Sequence, residues 1–247
     1  MDRIDIVKEK LKQRRRNETQ FTALRRTAKE VKDYRVNIRV LSIVLSLLLV
    51  LTILVYLVAV LYRNSGRFSV NIDKYEMTKY GLSLSESREL TYMRSQLNAK
   101  ISEKMTNISE KSIADNVDMI DGEHNGRDYI AYTFYLVNAG EQELSYDYEV
   151  KYSNVTNSLD EAIRLRLYID GDPTLYAKTR SDGGGPEPGT TEFYSNNVMA
   201  RGRINSLKPG EVTKYTVVIW LEGNDPDCID WLIGGMMKVE MEMRVVH

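Results

Sequence analysis

The chain has 247 residues, enough for one or two domains with a sizeable core, and its net charge of −1 hides a strong asymmetry along its length. Residues 1–39 carry +7, residues 40–62 have no charged side chain, and the remainder carries −8. A single cysteine, Cys228, excludes an intrachain disulfide, so the fold must rest on packing, which fits a bacterial exported protein.

The first 39 residues form a basic arm in which Ala23, Leu24, Ala28, Val31 and Ile38 recur at helical spacing. The arm is expected to be partly helical and to continue into the next segment. That segment, residues 40–62, is apolar, and at about 1.5 Å per residue it spans roughly 34 Å, against roughly 30 Å for a bilayer core. Val40, Leu47, Leu54 and Tyr62 mark this predicted membrane anchor, with Tyr62 suited to the outer interface. The hydroxyls of Ser42, Ser46 and Thr52 are expected to bond carbonyls of the preceding turn. Arg14, Arg15, Arg16, Arg25, Arg26, Arg35 and Arg39 set the topology, because basic residues beside a span stay in the cytoplasm. The bilayer is therefore the first expected partner, and residues beyond 62 are expected outside a cell membrane crossed once. A cleaved signal peptide would have a shorter basic region, a shorter apolar core and a small-residue cleavage site. The arm also suits anionic lipid or a cytoplasmic protein. Nucleic acid is not expected, since topology accounts for the charge.

A linker at 63–67 leads to an external domain, 68–247, with strand periodicity. Val239, Met241, Met243 and Val245 alternate with Glu240, Glu242 and Arg244; Ile163, Leu165, Leu167 and Ile169 alternate with Arg164, Arg166 and Tyr168. This pattern predicts half-buried strands of antiparallel sheets. Further strands are expected at 68–72, 97–105, 129–137, 146–155, 174–178 and 213–221. Asp170-Gly171 predicts a hairpin, and Asn138-Ala139-Gly140 and Lys208-Pro209-Gly210 mark other turns. Residues 180–192, rich in Gly and Pro, read as a mobile surface loop. Asp225 as N-cap, Pro226 at the first helical position and Gly234-Gly235 as the stop predict a short helix over 226–233. Ile229, Leu232 and Trp231 would pack from it over one end of the fold. Single helical turns are expected near 106–109 or 158–162. The fold class is mainly β: an antiparallel, jelly-roll-like β-sandwich with short helical insertions, preceded by one transmembrane helix.

The run from Tyr132 to Gly140 (YTFYLVNAG), then Tyr215 to Gly223 (YTVVIWLEG), Asn224 to Gly235 (NDPDCIDWLIGG) and a final alternating strand resembles the exported β-sandwich proteins of Gram-positive bacteria related to TasA and camelysin. The resemblance covers about residues 97–246. It implies a jelly-roll domain at the cell surface and either a structural, matrix-forming role or, as for camelysin, peptidase activity. Those proteins usually lose a signal peptide; an uncleaved anchor departs from that pattern and argues against release into a free fibre.

The residues themselves give little chemistry. His124 and His247 are the two histidines, and no HExxH pair, Gly-x-Ser-x-Gly elbow or P-loop occurs. His124 reads as a solvated turn residue and Cys228 as a buried structural thiol. Carboxylates gather at Asp118/Asp121/Glu123, Asp170/Asp172 and Asp225/Asp227/Asp230. The last set would suit calcium, without EF-hand spacing; capping and turn formation explain its members as well. No cofactor is expected. Tyr129, Tyr132, Tyr135, Tyr146 and Tyr148 lie on successive strands, either as cross-strand packing or as an exposed face that docks a protein or glycan. The expected function is a non-enzymatic, membrane-anchored interaction or structural module whose external domain binds a protein partner or a second copy. The alternatives are a transmembrane signalling subunit and a metal-dependent peptidase.

Overall fold

A computed structural model describes residues 3–64, 68–99 and 105–246 and, within the first helix, the side chains of 7–22 and 38–59. The chain divides into two compact units, Met1–Tyr62 and Arg63–His247. The first is one unbroken helix, α1, Arg3–Asn64. No proline or glycine interrupts these 62 residues, so nothing breaks the hydrogen-bond ladder. The basic arm is thus helical along its whole described length, rather than in part. The helix also runs through Arg63 and Asn64, and what remains of the expected linker, 65–67, lies outside the described residues. Ile38–Ala59 is long and apolar enough to cross a membrane, and none of it is buried. Ser42 Oγ donates to the Arg39 carbonyl at 2.8 Å, Ser46 Oγ to Ser42 at 2.8 Å and Thr52 Oγ1 to Leu48 at 2.7 Å, so each hydroxyl is satisfied within the helix as the sequence implies.

The second unit is mainly β. Its described strands are β1 Phe68–Ile72, β2 Leu82–Ser85, β3 Gln96–Ala99, β4 Gly122–Glu123, β5 Tyr129–Asn138, β6 Leu144–Ser153, β7 Ile163–Ile169, β8 Asp172–Ala177, β9 Thr191–Glu192, β10 Val198–Leu207, β11 Val212–Leu221 and β12 Lys238–Val246. They form two sheets. Sheet 1 runs β10-β6-β12-β1-β3; sheet 2 runs β2-β5-β11-β7-β8-β9, with β4 beside β5. The two bury their facing side chains in one core, where Phe68 of sheet 1 meets Tyr132 of sheet 2 edge-on at 5.9 Å.

Strand positions follow the sequence closely at β1, β7 and β12. The Asp170-Gly171 hairpin forms with both residues at positive φ, a turn whose twist matches its strands. The expected strand at 97–105 is described as far as Ala99; residues 100–104 lie outside the described residues, and Met105, expected as its last residue, is not in a strand. Helical turns form at Glu110–Ser112 and Leu159–Glu161.

Three expectations are corrected. The sheets are mixed: β1 runs parallel to β12, with Phe68 opposite Val239, and β8 is parallel to β9. No tight turn links β1 to β12, so nothing forces them antiparallel. Instead, β1 leads into helix α2, Lys74–Tyr80, absent from the sequence reading; it is capped by Asp73 Oδ1 accepting from Tyr75 N at 2.7 Å and ends at Gly81 with φ 77°. Next, β10 was not anticipated, since Arg201, Gly202, Arg203 and Asn205 lack strand-forming character and periodicity. Finally, half-burial holds for β12, but in β7 the outward Arg164 is buried too, and on β5 and β11 the outward Ala131, Val218 and Trp220 are covered by Ile113 and Val117.

Candidate functional site

The parallel pairing of β1 with β12 defines one end of the domain. Phe68, where the chain enters from α1, lies beside Val239 at the start of β12, and Lys238 lies opposite Ser153 at the end of β6. The same end receives the end of β11, since Leu221 faces Ile163 at the start of β7. The segment 222–237 joins β11 to β12 across this end.

Glu222 anchors the segment. Trp220 Nε1 and Glu110 N donate to its Oε2 at 2.9 and 3.0 Å, and Asn224 N donates to Oε1 at 3.1 Å. Asp225 follows, with its side chain fully buried. Its Oδ1 accepts from Asp227 N at 2.8 Å, and its carbonyl accepts from Cys228 N at 3.0 Å. Its Oδ2 lies 2.5 Å from Arg164 Nη2, a close ion contact not aligned as a hydrogen bond. Glu187 Oε2 is 3.7 Å from the same guanidinium nitrogen. Burial first, then the charge of Asp225, holds the Glu187 carboxyl above its ordinary value. Asp227 accepts from Ser181 N at 3.1 Å and from Ser181 Oγ.

These contacts overturn the expected helix at 226–233. The Asp225 carboxylate is committed to Arg164 and to a turn two residues long, while Ile229 is extended at φ −104°, ψ 165°. Only a single 3-10 turn forms, Asp230–Leu232. Gly234, at φ 76°, ends it as the sequence implies, with Gly235 N donating to the Leu232 carbonyl at 2.8 Å. Leu232 is buried and pins the turn. Ile229 and Trp231, expected to pack inward, are instead 59% and 69% exposed, and Ile233 beside them is 76% exposed. Asn157 Nδ2 holds the Ile233 carbonyl at 2.9 Å, so the apolar turn is tethered on its far side.

The calcium candidates are likewise rearranged. Asp225 and Asp227 converge with Glu187 to within 4.8 Å, whereas Asp230 stands apart, exposed on the turn. Arg164 already supplies positive charge to this group. Neither Glu187, in the Gly/Pro-rich loop, nor Arg164, read as an outward strand residue, was singled out from the sequence. Glu187 is buried, which also corrects the reading of 180–192 as a surface loop throughout.

The five tyrosines do not share one exposed face. Tyr132, Tyr146 and Tyr148 lie in the core between the sheets, where Tyr146 and Tyr215 share a 2.8 Å hydroxyl hydrogen bond. Burial pushes the Tyr146 and Tyr148 hydroxyls up to about 12, and raises Tyr132, which also donates to Glu86. Tyr135 is buried on the opposite face of β5 and donates to Asp121 Oδ1 at 2.5 Å. Tyr129 is half-buried against the second cluster. The rings meet across the core because β5 of sheet 2 and β6 of sheet 1 each turn alternate residues into it. His124 is half-buried rather than solvated: its Nδ1 and Nε2 lie 2.9 and 2.6 Å from the carbonyls of Gly122 and Val117. Cys228 is half-buried rather than buried, its Sγ 3.4 Å from Asn107 Nδ2.

On α1, Arg14, Arg15, Arg16 and Arg39 are exposed, as are Val40, Leu47 and Leu54. Arg25, Arg26, Arg35 and Tyr62 lie on the helix with side chains outside the described residues.

No family model matches the chain, and no curated protein matches it. Among solved structures, it is similar to a β-glucosidase from Kluyveromyces marxianus in complex with glucose, at 9% identity and a TM-score of 0.23, over 65% of this chain and 15% of that one. A likeness this slight assigns neither fold nor activity.

Proposed function

We propose that the chain is a membrane-anchored, non-enzymatic interaction or structural module, with the basic arm in the cytoplasm and the β domain outside the cell membrane. The observation that carries this reading is the helix Ile38–Ala59, apolar and exposed along its length, following an arm of +7. An apolar helix exposed on every side is stable in lipid, not in water, and the arginines before it favour retention on the cytoplasmic side. The domain reads as a variant jelly-roll. From β5 to β12 the chain crosses repeatedly between the sheets, and β6-β12 and β5-β11-β7-β8 keep antiparallel neighbours, in keeping with two interlocked Greek keys. The parallel β1 is the departure. This strand order also supports the likeness to TasA and camelysin proteins and, with a retained anchor, a role at the surface.

Protease added to intact protoplasts tests the topology. Residues beyond 68 should be digested while the arm stays protected, and the opposite pattern would sink the reading. A second reading, a signalling subunit, draws on one observation: α1 runs unbroken from the arm through the apolar span. A continuous helix transmits rotation or displacement. Deleting residues 1–30 should then abolish the response while leaving insertion intact.

A further inference from the structure

The exposed trio Ile229, Trp231 and Ile233 has no role inside the domain, since Leu232 alone of these four residues reaches the interior. Its location is informative. The turn sits in the segment that leads into β12, and β12 begins beside Phe68, where the chain arrives from α1. Five Cα steps separate Arg63, the charged residue closing the apolar run, from Phe68, so the link spans at most roughly 18 Å whatever its path. The covalent tether and the apolar turn thus share one end of the domain.

We propose that Ile229, Trp231 and Ile233 dip into the interfacial layer of the bilayer that this chain's own helix crosses, making a second, shallow contact that orients the domain on the membrane. The inference rests on the membrane-anchored reading above. Tryptophan favours the interface because its ring is apolar and its N–H can bond to headgroups or water. The side chains flanking it set the depth. Asp230, exposed between Ile229 and Trp231, keeps its carboxylate hydrated only if the turn stops at headgroup level. The turn is held from behind by Asn157 and the buried Leu232, so its apolar tips are presented without loop rearrangement.

The chain provides its own probe, because it contains two tryptophans and Trp220 is fully buried. Full-length protein in phosphatidylcholine vesicles is compared with W231F, using lipids brominated at shallow acyl positions and aqueous iodide as quenchers. Bromolipid should quench the wild type at least about twofold more than W231F, with iodide excluded from Trp231. I229S/I233S, altering exposed positions only, should reduce that bromolipid quenching. Co-flotation of the chain with the vesicles reports anchoring separately. If the chain floats but Trp231 remains open to iodide and insensitive to bromolipid, the proposal fails while anchoring stands. Shielding from iodide without bromolipid quenching would assign the turn to a contact between copies and overturn the bilayer contact. A chain that does not float removes both.

Discussion

The outward faces of the two sheets solve the same problem in opposite ways. Sheet 1 turns charge to the solvent: Arg203 makes a two-pronged contact with Asp147 at 2.6 and 3.0 Å, Lys151 lies 2.9 Å from Glu149 and 2.8 Å from Glu242, and Arg244 lies 2.8 Å from Glu242. Sheet 2 turns outward Ala131, Val218 and Trp220, which need a cover. The segment 105–120 supplies it with Ile108, Ile113 and Val117, and is stitched down by Glu222 accepting from Glu110 N and by Arg166 bonding Glu110. Arg166 also lies over the Trp220 ring at 5.3 Å. A stretch with little regular structure can therefore be integral to the core when the strands beneath it are apolar on both sides.

Trp220→Ala attacks the covered face directly and should have the largest effect. It empties a fully buried ring site beneath the cover, with an expected loss of about 3–5 kcal/mol in urea unfolding. A loss under about 1 kcal/mol would mean that the cover is not packed on sheet 2 as described.

Arg164 sits at the end of the same face, opposite Trp220 in register. Arg164→Met leaves Asp225 and Glu187 buried beside each other without a counter-charge and should cost about 3 kcal/mol at neutral pH. The pH dependence gives a sharper test. Glu187 already titrates above its ordinary value, and the variant should raise it further, because Arg164 opposes that shift. A carboxyl raised in the folded state binds more protons there than when unfolded, so its contribution is present at low pH and lost as pH rises through the folded value. Acidification from neutrality toward the ordinary carboxylate range should thus partly restore R164M relative to the wild type. Equal slopes would break the assignment.

What the sequence disclosed follows the same division. In β12, one face is wet and the other dry, so Val239 to Val245 alternate and both strand and face are legible. In β5, both faces are dry, so alternation vanishes, and Tyr132 in the core cannot be told from Tyr135 beneath the outer layer. The 226–233 stretch carries sound helix signals at both ends. They lose because Asp225 is bound by Arg164, sixty-one positions earlier in the chain, a contact that no local pattern encodes. The same long-range closure hid Glu187 in an ordinary-looking loop and left the exposure of Trp231 unforeseen.

The charged face of sheet 1 should respond least. Lys151→Met removes the cation between Glu149 and Glu242 and should cost only about 0.5 kcal/mol, because these side chains are partly exposed on the sheet surface and the gain is offset by ordering long chains. Hydrogen bonding from Lys151 lowers Glu242, and hydrogen bonding from Arg203 lowers Asp147. Carboxyls lowered in the folded state stabilise it above their unfolded values, and that stability is lost as pH falls through the folded ones. The wild type should therefore lose a small increment below the ordinary carboxylate range, and K151M a smaller one. Molar salt should shrink the difference between the two proteins, whereas the deficit of W220A should persist in salt, since packing is not screened. A K151M deficit as large as that of W220A would mean that the two faces do not divide their labour in this way.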